Sequence, residues 1–145
     1  MSYTIRVRIR HTSTDACFRI AEMAVWHFAN GGAWTETDGI LTLTMGGSGT
    51  SGMLRLQTQE GEEAWTLTAG IHNYKPWVHI ITDVARNETS PVLLPQYYGG
   101  KFSYTQIPRA PTASARNREL RTFTATFGNP EGRYYPLDVV IGRKS

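Results

Sequence analysis

The sequence predicts an α+β fold in which antiparallel strands dominate and a helical segment interrupts them. Many segments alternate apolar and polar residues with the period of two that a half-buried strand requires. Turns rich in glycine, proline and asparagine separate these segments, whereas a stretch near the middle of the chain has a helical period. The chain has 145 residues, of which 40% are hydrophobic, so we expect one core and a single domain over residues 1–145.

The clearest strand lies at the start of the chain. Residues 3–10 alternate, so their apolar side chains share one face of the strand and their arginines share the other. The inward set is Tyr3, Ile5, Val7 and Ile9. The outward set is Arg6, Arg8 and Arg10. We interpret these arginines as the solvated face of a sheet, because no dense basic patch with interleaved aromatic residues indicates nucleic-acid binding.

Further strands are predicted on both sides of the middle of the chain. Residues 40–45, 53–57 and 64–68 are rich in β-branched residues or alternate, and glycine-containing turns divide them. Residues 122–127 and 138–141 repeat this pattern on either side of an Asn-Pro-Glu-Gly turn. Consecutive antiparallel strands are therefore expected in both halves of the chain.

A helical interruption is predicted from Asn73 onwards. Its apolar residues fall at i, i+3, i+4 and i+7, and Pro76 suits a first helical turn. The apolar stripe is Trp77, Ile80, Ile81 and Val84. A second short helix is predicted from Pro91 towards Gln96. The segment 17–28 is ambiguous, because its helix-favouring residues lack a clear cap.

Composition and charge exclude several classes of protein. Aromatic residues make up 11% of the chain and charged residues 19%, which is typical of a globular protein. The net charge of +3 is spread out, so we expect no nucleic-acid partner. No apolar run is long enough to span a bilayer, and the N-terminal residues do not resemble a secretory signal. We therefore expect a cytoplasmic protein, and the lone Cys17 suits a reducing compartment.

The sequence carries no recognised catalytic or metal-binding motif. The glycine-rich run at residues 46–52 lacks the spacing of a nucleophile elbow and the Gly-Lys-Ser/Thr of a phosphate-binding loop. The histidines also lack the spacing of metal ligands. They are His11, His27, His72 and His79. We predict that the protein is not an enzyme and that it uses no metal or cofactor.

Three glycine-rich polar patches interrupt the predicted strands, at residues 26–34, 44–52 and 70–75. Glycines let backbone groups approach a ligand closely, and serine and asparagine side chains both donate and accept hydrogen bonds. Aromatic rings can cover the apolar face of a sugar. These patches suit a neutral, hydroxyl-rich ligand. The alternative from pattern alone is that residues 46–52 form an ordinary loop and that Asn73 is a helix N-cap.

A longer sequence motif favours the ligand site over the ordinary loop and the helix N-cap. The string TMGGSGTSG is followed about twenty residues later by HNYK and a tryptophan, with MSYTI before them and YYG after. These residues closely resemble the fungal fruit body lectin family, in register from the N-terminus to about Gly99 and only loosely beyond Gly100. The resemblance implies an antiparallel β-sandwich with a helix-loop-helix connection, actinoporin-like in architecture, and a homotetramer. It also favours strand and loop for residues 17–28.

The resemblance further implies a principal carbohydrate site. In the family this site binds the Thomsen-Friedenreich disaccharide, galactose β1,3-linked to N-acetylgalactosamine. The matching positions of this chain are Ala29, Asn30, Ser48, Gly49, His72 and Asn73. Ser48 and Asn73 are expected to hold sugar hydroxyls, and Gly49 is expected to donate its backbone N–H. Ala29 and Asn30 are expected to shape the wall, and His72 to orient the sugar rather than to ionise.

A second family site, for terminal N-acetylglucosamine, matches this chain only in part. Ile80 and Thr82 agree with it, but His79 replaces an acidic residue. The expected arginine and tyrosine fall by simple count at Ser103 and Ser114. An insertion or deletion would instead let Tyr104 and Arg109 take their places. We predict that the second site is weakened, altered or lost.

The resemblance implies glycans of glycoproteins or glycolipids as partners, and a defence role. The alternative is a membrane-perforating protein, because the implied architecture is similar to that of the sea anemone pore-forming toxins. Such proteins need a detachable amphipathic helix and exposed aromatic residues. The predicted first strand argues against membrane insertion. The sequence leaves two roles open for a group of arginines before the last strands, which line either a subunit interface or a path for the ligand. The group comprises Arg109, Arg116, Arg118 and Arg121.

Overall fold

Two β-sheets pack face to face in the structure, a computed structural model that describes residues 2–28 and 30–144. The strands are β1 (Tyr3–His11), β2 (Arg19–Trp26), β3 (Gly32–Thr37), β4 (Ile40–Met45), β5 (Ser51–Gln57), β6 (Ala64–His72), β7 (Lys75–Thr82), β8 (Thr112–Arg116), β9 (Thr122–Phe127) and β10 (Tyr134–Ile141). The first sheet has the order β3-β4-β1-β10-β9-β8, and the second has the order β2-β5-β6-β7. The predicted β-sandwich is confirmed.

The first sheet is centred on β1, whose predicted alternation is confirmed. Its inward residues Ile5 and Val7 are fully buried in the core between the sheets, whereas Arg6, Arg8 and Arg10 are exposed. β1 pairs antiparallel with β4 and parallel with β10. The sheet is therefore not purely antiparallel, because its two central strands run in the same direction.

The second sheet is covered on both faces. One face of β5 and β6 packs into the core between the sheets, and the other lies under a smaller cluster that includes Met53, Trp77, Leu93 and Tyr97. This explains why β5 and β6 are buried along almost their whole length. The ambiguous segment 17–28 forms β2, so its interpretation as strand and loop is confirmed.

The helix predicted from Asn73 onwards is wrong, because residues 75–82 form strand β7. Trp77 and Ile81 face the smaller cluster, whereas Val78 and Ile80 face the core between the sheets. Apolar residues on both faces of a strand imitate helical spacing. β7 is the last strand in the hydrogen-bonded order of its sheet. A strand in that position tolerates a proline such as Pro76.

The helical content lies between β7 and β8. The predicted short helix is confirmed as α1 (Ser90–Leu93), which runs directly into a 3₁₀ helix (Leu94–Tyr97). No loop separates these two helices, so the helix-loop-helix that the resemblance implies is not confirmed within the described residues. Nor does any helix of residues 2–28 and 30–144 have the length and apolar character to cross a membrane. The sequence prediction also missed β3 and β8.

A buried ionic cluster ties the two sheets to the loops at one end of the sandwich. Arg121, only 1% exposed, donates hydrogen bonds from Nε and Nη2 to the Glu63 carboxylate at 2.8 and 3.0 Å. Its Nη1 donates to Asp15 at 2.8 Å and to the Gly142 carbonyl at 2.8 Å. The Asn117 amide also donates to Glu63. Arg121 is therefore the shared hydrogen-bond donor that joins Glu63, Asp15 and the Gly142 carbonyl.

The ionic cluster predicts a loss of stability in acid. The hydrogen bond from Arg121, followed by one from the Lys144 backbone, lowers the pKa of Asp15 from 3.8 to about 2. Burial alone would raise the pKa of Glu63, but hydrogen bonds from Arg121 and Asn117 outweigh it, so the pKa is lowered below 4.5. Carboxylates whose pKa is depressed on folding stabilise the protein above their unfolded pKa values. That stability is lost as the pH falls through the folded values.

We therefore expect the free-energy difference between wild type and Glu63→Gln to stay constant from pH 7 to about pH 4.5 and to shrink towards pH 2. Protonated Glu63 resembles glutamine, whereas the titration of every other group cancels in this difference. Urea unfolding of both proteins across this pH range measures it. A free-energy difference between the two proteins that is unchanged at pH 2 would contradict the lowered pKa of Glu63.

Candidate functional site

The three glycine-rich patches predicted from the sequence meet at one end of the second sheet. The N–H of Gly46 donates to the Gly31 carbonyl at 2.8 Å, which joins the first patch to the second. The N–H of Tyr74 donates to Ser48 Oγ at 3.0 Å, which joins the second to the third. The hydroxyl of Thr50 donates to the Phe28 carbonyl. Loops far apart in the sequence are therefore held together by their own hydrogen bonds.

A cavity of about 460 Å³ opens where these patches meet. Its lining residues are Trp26, Phe28, Ser48, Gly49, Ile71, His72, Asn73, Trp77, Tyr98 and Arg109. Four predicted site residues are thus brought together, namely Ser48, Gly49, His72 and Asn73. Asn30 is exposed in the neighbouring turn and is not part of this lining. Ala29 lies outside the described residues.

Asn73 belongs to a tight hairpin turn rather than to a helix. His72 pairs with Lys75 across β6 and β7, which leaves Asn73 and Tyr74 as the two loop residues. Both have positive φ, 50° and 65°, as a type I′ turn requires. The N-cap interpretation of Asn73 is therefore wrong. The turn exposes the Asn73 amide at the mouth of the cavity, where its Nδ2 lies 3.4 Å from His72 Nε2.

Gly49 has a different role from the one expected. Its N–H already donates to the Ile71 carbonyl at 2.7 Å, so the prediction that it donates to a sugar is wrong. Its φ of +105° favours glycine, and a Cβ atom here would overlap the ring of Phe28. Gly49 thus allows the aromatic ring of Phe28 to lie against the backbone at the cavity wall.

The polar groups of the cavity have unused hydrogen-bonding capacity. Ser48 Oγ accepts one hydrogen bond from Tyr74, and among the described residues its own proton and a second lone pair are left to meet a ligand. The Asn73 amide is exposed and its carbonyl oxygen accepts no hydrogen bond within the described residues. These neutral groups can donate to and accept from the same hydroxyl.

The cavity also has an aromatic wall, which includes Trp26, Phe28 and Tyr98. The rings of Trp26 and Tyr98 stack with centroids 4.2 Å apart and almost parallel. The Tyr98 hydroxyl contacts Ser51 Oγ and lies 3.4 Å from the Gly49 carbonyl. Burial raises the pKa of Tyr98, so it remains a neutral phenol. Sequence reasoning missed this wall, although Tyr98 stood within the YYG string of the resemblance.

His72 is suited to orienting a ligand as a neutral ring. Burial, followed by the positive charge of Arg109, lowers the pKa of His72. Its ring also packs against that of Tyr104, with centroids 5.0 Å apart. The pKa of His72 thus lies below its ordinary value of 6.5, which favours the neutral imidazole at neutral pH, and its role in orienting a ligand stays a prediction.

The residues of the predicted second site do not share one surface. His79 Nδ1 lies 2.6 Å from the Tyr97 hydroxyl, and its ring packs against Phe102. Ile80 is 7% exposed and faces the core between the sheets, whereas Thr82 is half-buried at the end of β7.

Of the residues beyond Gly100, the two serines do not line the first cavity, whereas Tyr104 and Arg109 both lie near His72. Ser103 contacts Thr105, and Ser114 lies in β8. Tyr104 lies against His72, and Arg109 lines the first cavity. The weakening or loss of the second site stays a prediction.

Comparison with known proteins places this architecture in a family. The family model for fungal fruit body lectins matches residues 1–139, so the likeness extends well beyond Gly100. The Boletus edulis lectin is 40% identical over 127 residues, which cover 87% of this chain and 82% of the relative.

Solved structures of the Xerocomus chrysenteron lectin agree over almost the whole fold. The wild-type structure has a TM-score of 0.91 and 39% identity over 97% of this chain and 99% of the other. A mutant of the same lectin has a TM-score of 0.91 and 40% identity over 97% of this chain and 98% of the other. Lectins are not enzymes, so the prediction that this protein is not an enzyme is confirmed. Both sequence and architecture show that the chain belongs to the fungal fruit body lectin family.

Proposed function

We propose that the protein is a carbohydrate-binding lectin whose cavity recognises galactose β1,3-linked to N-acetylgalactosamine. The observation that carries the proposal is the convergence of Ser48, Gly49, His72 and Asn73 on one cavity. These residues come from the β4–β5 loop, which connects the two sheets, and from the β6–β7 hairpin, and the fold presents their polar groups to the same cavity. The relatives are named as lectins, which supports a carbohydrate as the ligand.

The polar groups of the cavity suit a galacto-configured sugar. A sugar hydroxyl both donates and accepts, and so do Ser48 Oγ and the Asn73 amide. We propose that they hold the axial hydroxyl that marks galactose, while the aromatic wall at Phe28 and Trp26 covers the apolar face of the ring. A gluco-configured sugar would leave these groups unpaired, which costs roughly 1–3 kcal/mol per group.

Assembly is part of the proposed mechanism. One open sugar site of this kind typically binds with a dissociation constant on the order of millimolar to micromolar. We propose that the protein forms a homotetramer, because several sites that face a glycan-dense surface gain avidity without new contacts. A cytoplasmic location and a defence role complete the proposal, together with an architecture similar to that of the actinoporins but without membrane insertion.

The test compares glycan binding by wild type, Ser48→Ala and Asn73→Gly. Glycine suits the positive φ of the turn better than alanine does, so Asn73→Gly removes the amide and keeps the hairpin. On a glycan array and by calorimetry, we expect each variant to bind the disaccharide about tenfold or more weakly than wild type. Asn87→Ala removes an exposed amide outside the cavity, and we expect it to bind as wild type does.

Thermal unfolding shows that each variant is folded at the assay temperature. Wild type that binds no galacto-configured glycan would overturn the proposal. So would folded Ser48→Ala and Asn73→Gly proteins with the affinity of wild type. Dye-loaded vesicles without glycans test the membrane alternative, and we expect no leakage from them.

A further inference from the structure

The cavity lining includes a positively charged side chain, Arg109, that the proposed recognition of the sugar does not use. Arg109 is half-buried, and its Cζ lies 4.2 Å from the ring centroid of Trp77 and 5.6 Å from that of Tyr97. Trp77 is itself buried and lines the same cavity. The guanidinium plane is therefore fixed against an aromatic surface, and the side chain does not move freely into solvent.

No carboxylate neutralises Arg109 among the described residues. The ion pairs of residues 2–28 and 30–144 join other arginines to Asp15, Glu63 and Asp83. Arg109 instead donates from Nη1 to the Phe102 carbonyl at 3.0 Å and from Nη2 to the Tyr97 carbonyl at 2.7 Å. Its Nε is buried without a hydrogen-bond partner. A half-buried charge with only carbonyl partners is incompletely compensated.

The position of Arg109 links it to the proposed sugar site. It lines the cavity together with Ser48, His72 and Asn73, and its charge contributes to the lowered pKa of His72. Burial also lowers the pKa of Arg109 itself, although a guanidinium stays protonated in proteins. The cavity lining therefore combines neutral hydrogen-bonding groups with one permanent positive charge.

We infer that Arg109 forms a subsite for an anionic substituent, a carboxylate or a sulfate ester, on the glycan that the cavity binds. The inference rests on the proposed function, because the neutral part of the ligand occupies the sugar site. The Phe102 and Tyr97 carbonyls use one N–H on each terminal nitrogen of Arg109, so a second N–H on Nη1 and one on Nη2 remain to donate to the oxygens of either anion. The Trp77 stack holds the guanidinium in place before the ligand arrives, so little side-chain entropy is lost on binding.

Calorimetric titration of wild type with three ligand classes tests the subsite. The ligands are the neutral disaccharide, its forms sulfated on galactose and its forms that carry sialic acid on galactose. We expect a sulfated or a sialylated form to bind about tenfold tighter than the neutral disaccharide at 50 mM salt. The advantage should shrink at 500 mM salt, because added ions screen the charge. The two anionic series distinguish the sulfate from the carboxylate source.

Variants show whether Arg109 is responsible for the preference. In Arg109→Gln, the ratio of anionic to neutral affinity should fall to about one. Arg109→Lys keeps the charge without the planar fork and should retain only part of the ratio. Arg86→Gln removes one exposed positive charge that does not line this cavity, and the ratio should stay as in wild type.

The outcomes separate the subsite from the sugar site. If the neutral disaccharide binds and no anionic form binds more tightly, the subsite is overturned while the proposed function stands. A ratio that falls equally in Arg86→Gln also overturns it, because net charge would then explain the preference. If neither neutral nor anionic forms bind, the proposed function fails and the subsite fails with it.

Discussion

Arg121→Met is expected to lower the free energy of unfolding by about 3–5 kcal/mol at pH 7. The side chain is almost fully buried, and it is the shared partner of Glu63 and Asp15. Methionine fills a similar volume, so the loss comes mainly from a Glu63 carboxylate that stays buried without its cation. Removing one member of a buried ion pair costs far more than an exposed pair contributes. Urea unfolding monitored by tryptophan fluorescence measures this loss.

Arg118→Met is the matched control for this substitution. Arg118 is also paired with a carboxylate, Asp83 at 3.2 Å, but its side chain is 76% exposed. We expect a loss below about 1 kcal/mol, because water screens the pair in the folded protein. Equal losses in the two variants would show that burial does not decide the strength of these ion pairs, contrary to the role given to Arg121.

Gly70→Ala is expected to reduce both stability and glycan binding. A Cβ atom at Gly70 would lie 2.7 Å from the Thr50 carbonyl oxygen and 2.9 Å from Ser51 Cα. Both are backbone atoms, at the start of β5 and in the residue before it, so no side chain can move aside to relieve the overlap. We expect a loss of about 2–3 kcal/mol in stability, as for other overpacked cores.

The effect on binding follows from the position of Gly70. The next residue, Ile71, accepts the N–H of Gly49 and donates its own N–H to Thr50. Pushing β5 away from β6 therefore displaces the loop that carries Ser48, and we expect glycan affinity to fall at least tenfold. Gly99→Ala is the control, because Gly99 has open space around it and no positive φ. Gly70→Ala protein with wild-type stability and affinity would contradict this account.

The strands that could be predicted from the sequence are those with one face in the core and the other face exposed to water. β1 and β9 alternate cleanly because their outer residues meet water. β7 could not be recognised, because both of its faces are covered and its apolar residues no longer alternate. β8 turns only the small Ala113 and Ala115 towards the core, which gives almost no hydrophobic signal. A strand that is buried on both faces, or that turns only small residues towards the core, therefore lacks the alternating pattern from which strands are predicted.

The candidate site was predictable on one side only. The resemblance indicated Ser48 and Asn73, whose loops are short and lie close to each other in the fold. Trp26 belongs to the first glycine-rich patch, but Tyr98 and Arg109 come from separate segments, and only the folded chain brings the three together. Arg109 was visible in the sequence as one of a group of arginines. Only the structure separates it from Arg121, which pairs with the buried Glu63 carboxylate and with the exposed Asp15.

The parallel pairing of β1 with β10 has a consequence for the synthesis of this protein. Thr4 pairs with Tyr134, so the centre of the first sheet joins segments separated by almost the whole chain. The first strand leaves the ribosome long before its partner is made, whereas β5, β6 and β7 can pair as neighbours as soon as they emerge. Long-range pairing of this kind slows folding. The second sheet and the loops that carry Ser48 and Asn73 can therefore form during translation, while β1 waits with one edge unpaired until β10 is released.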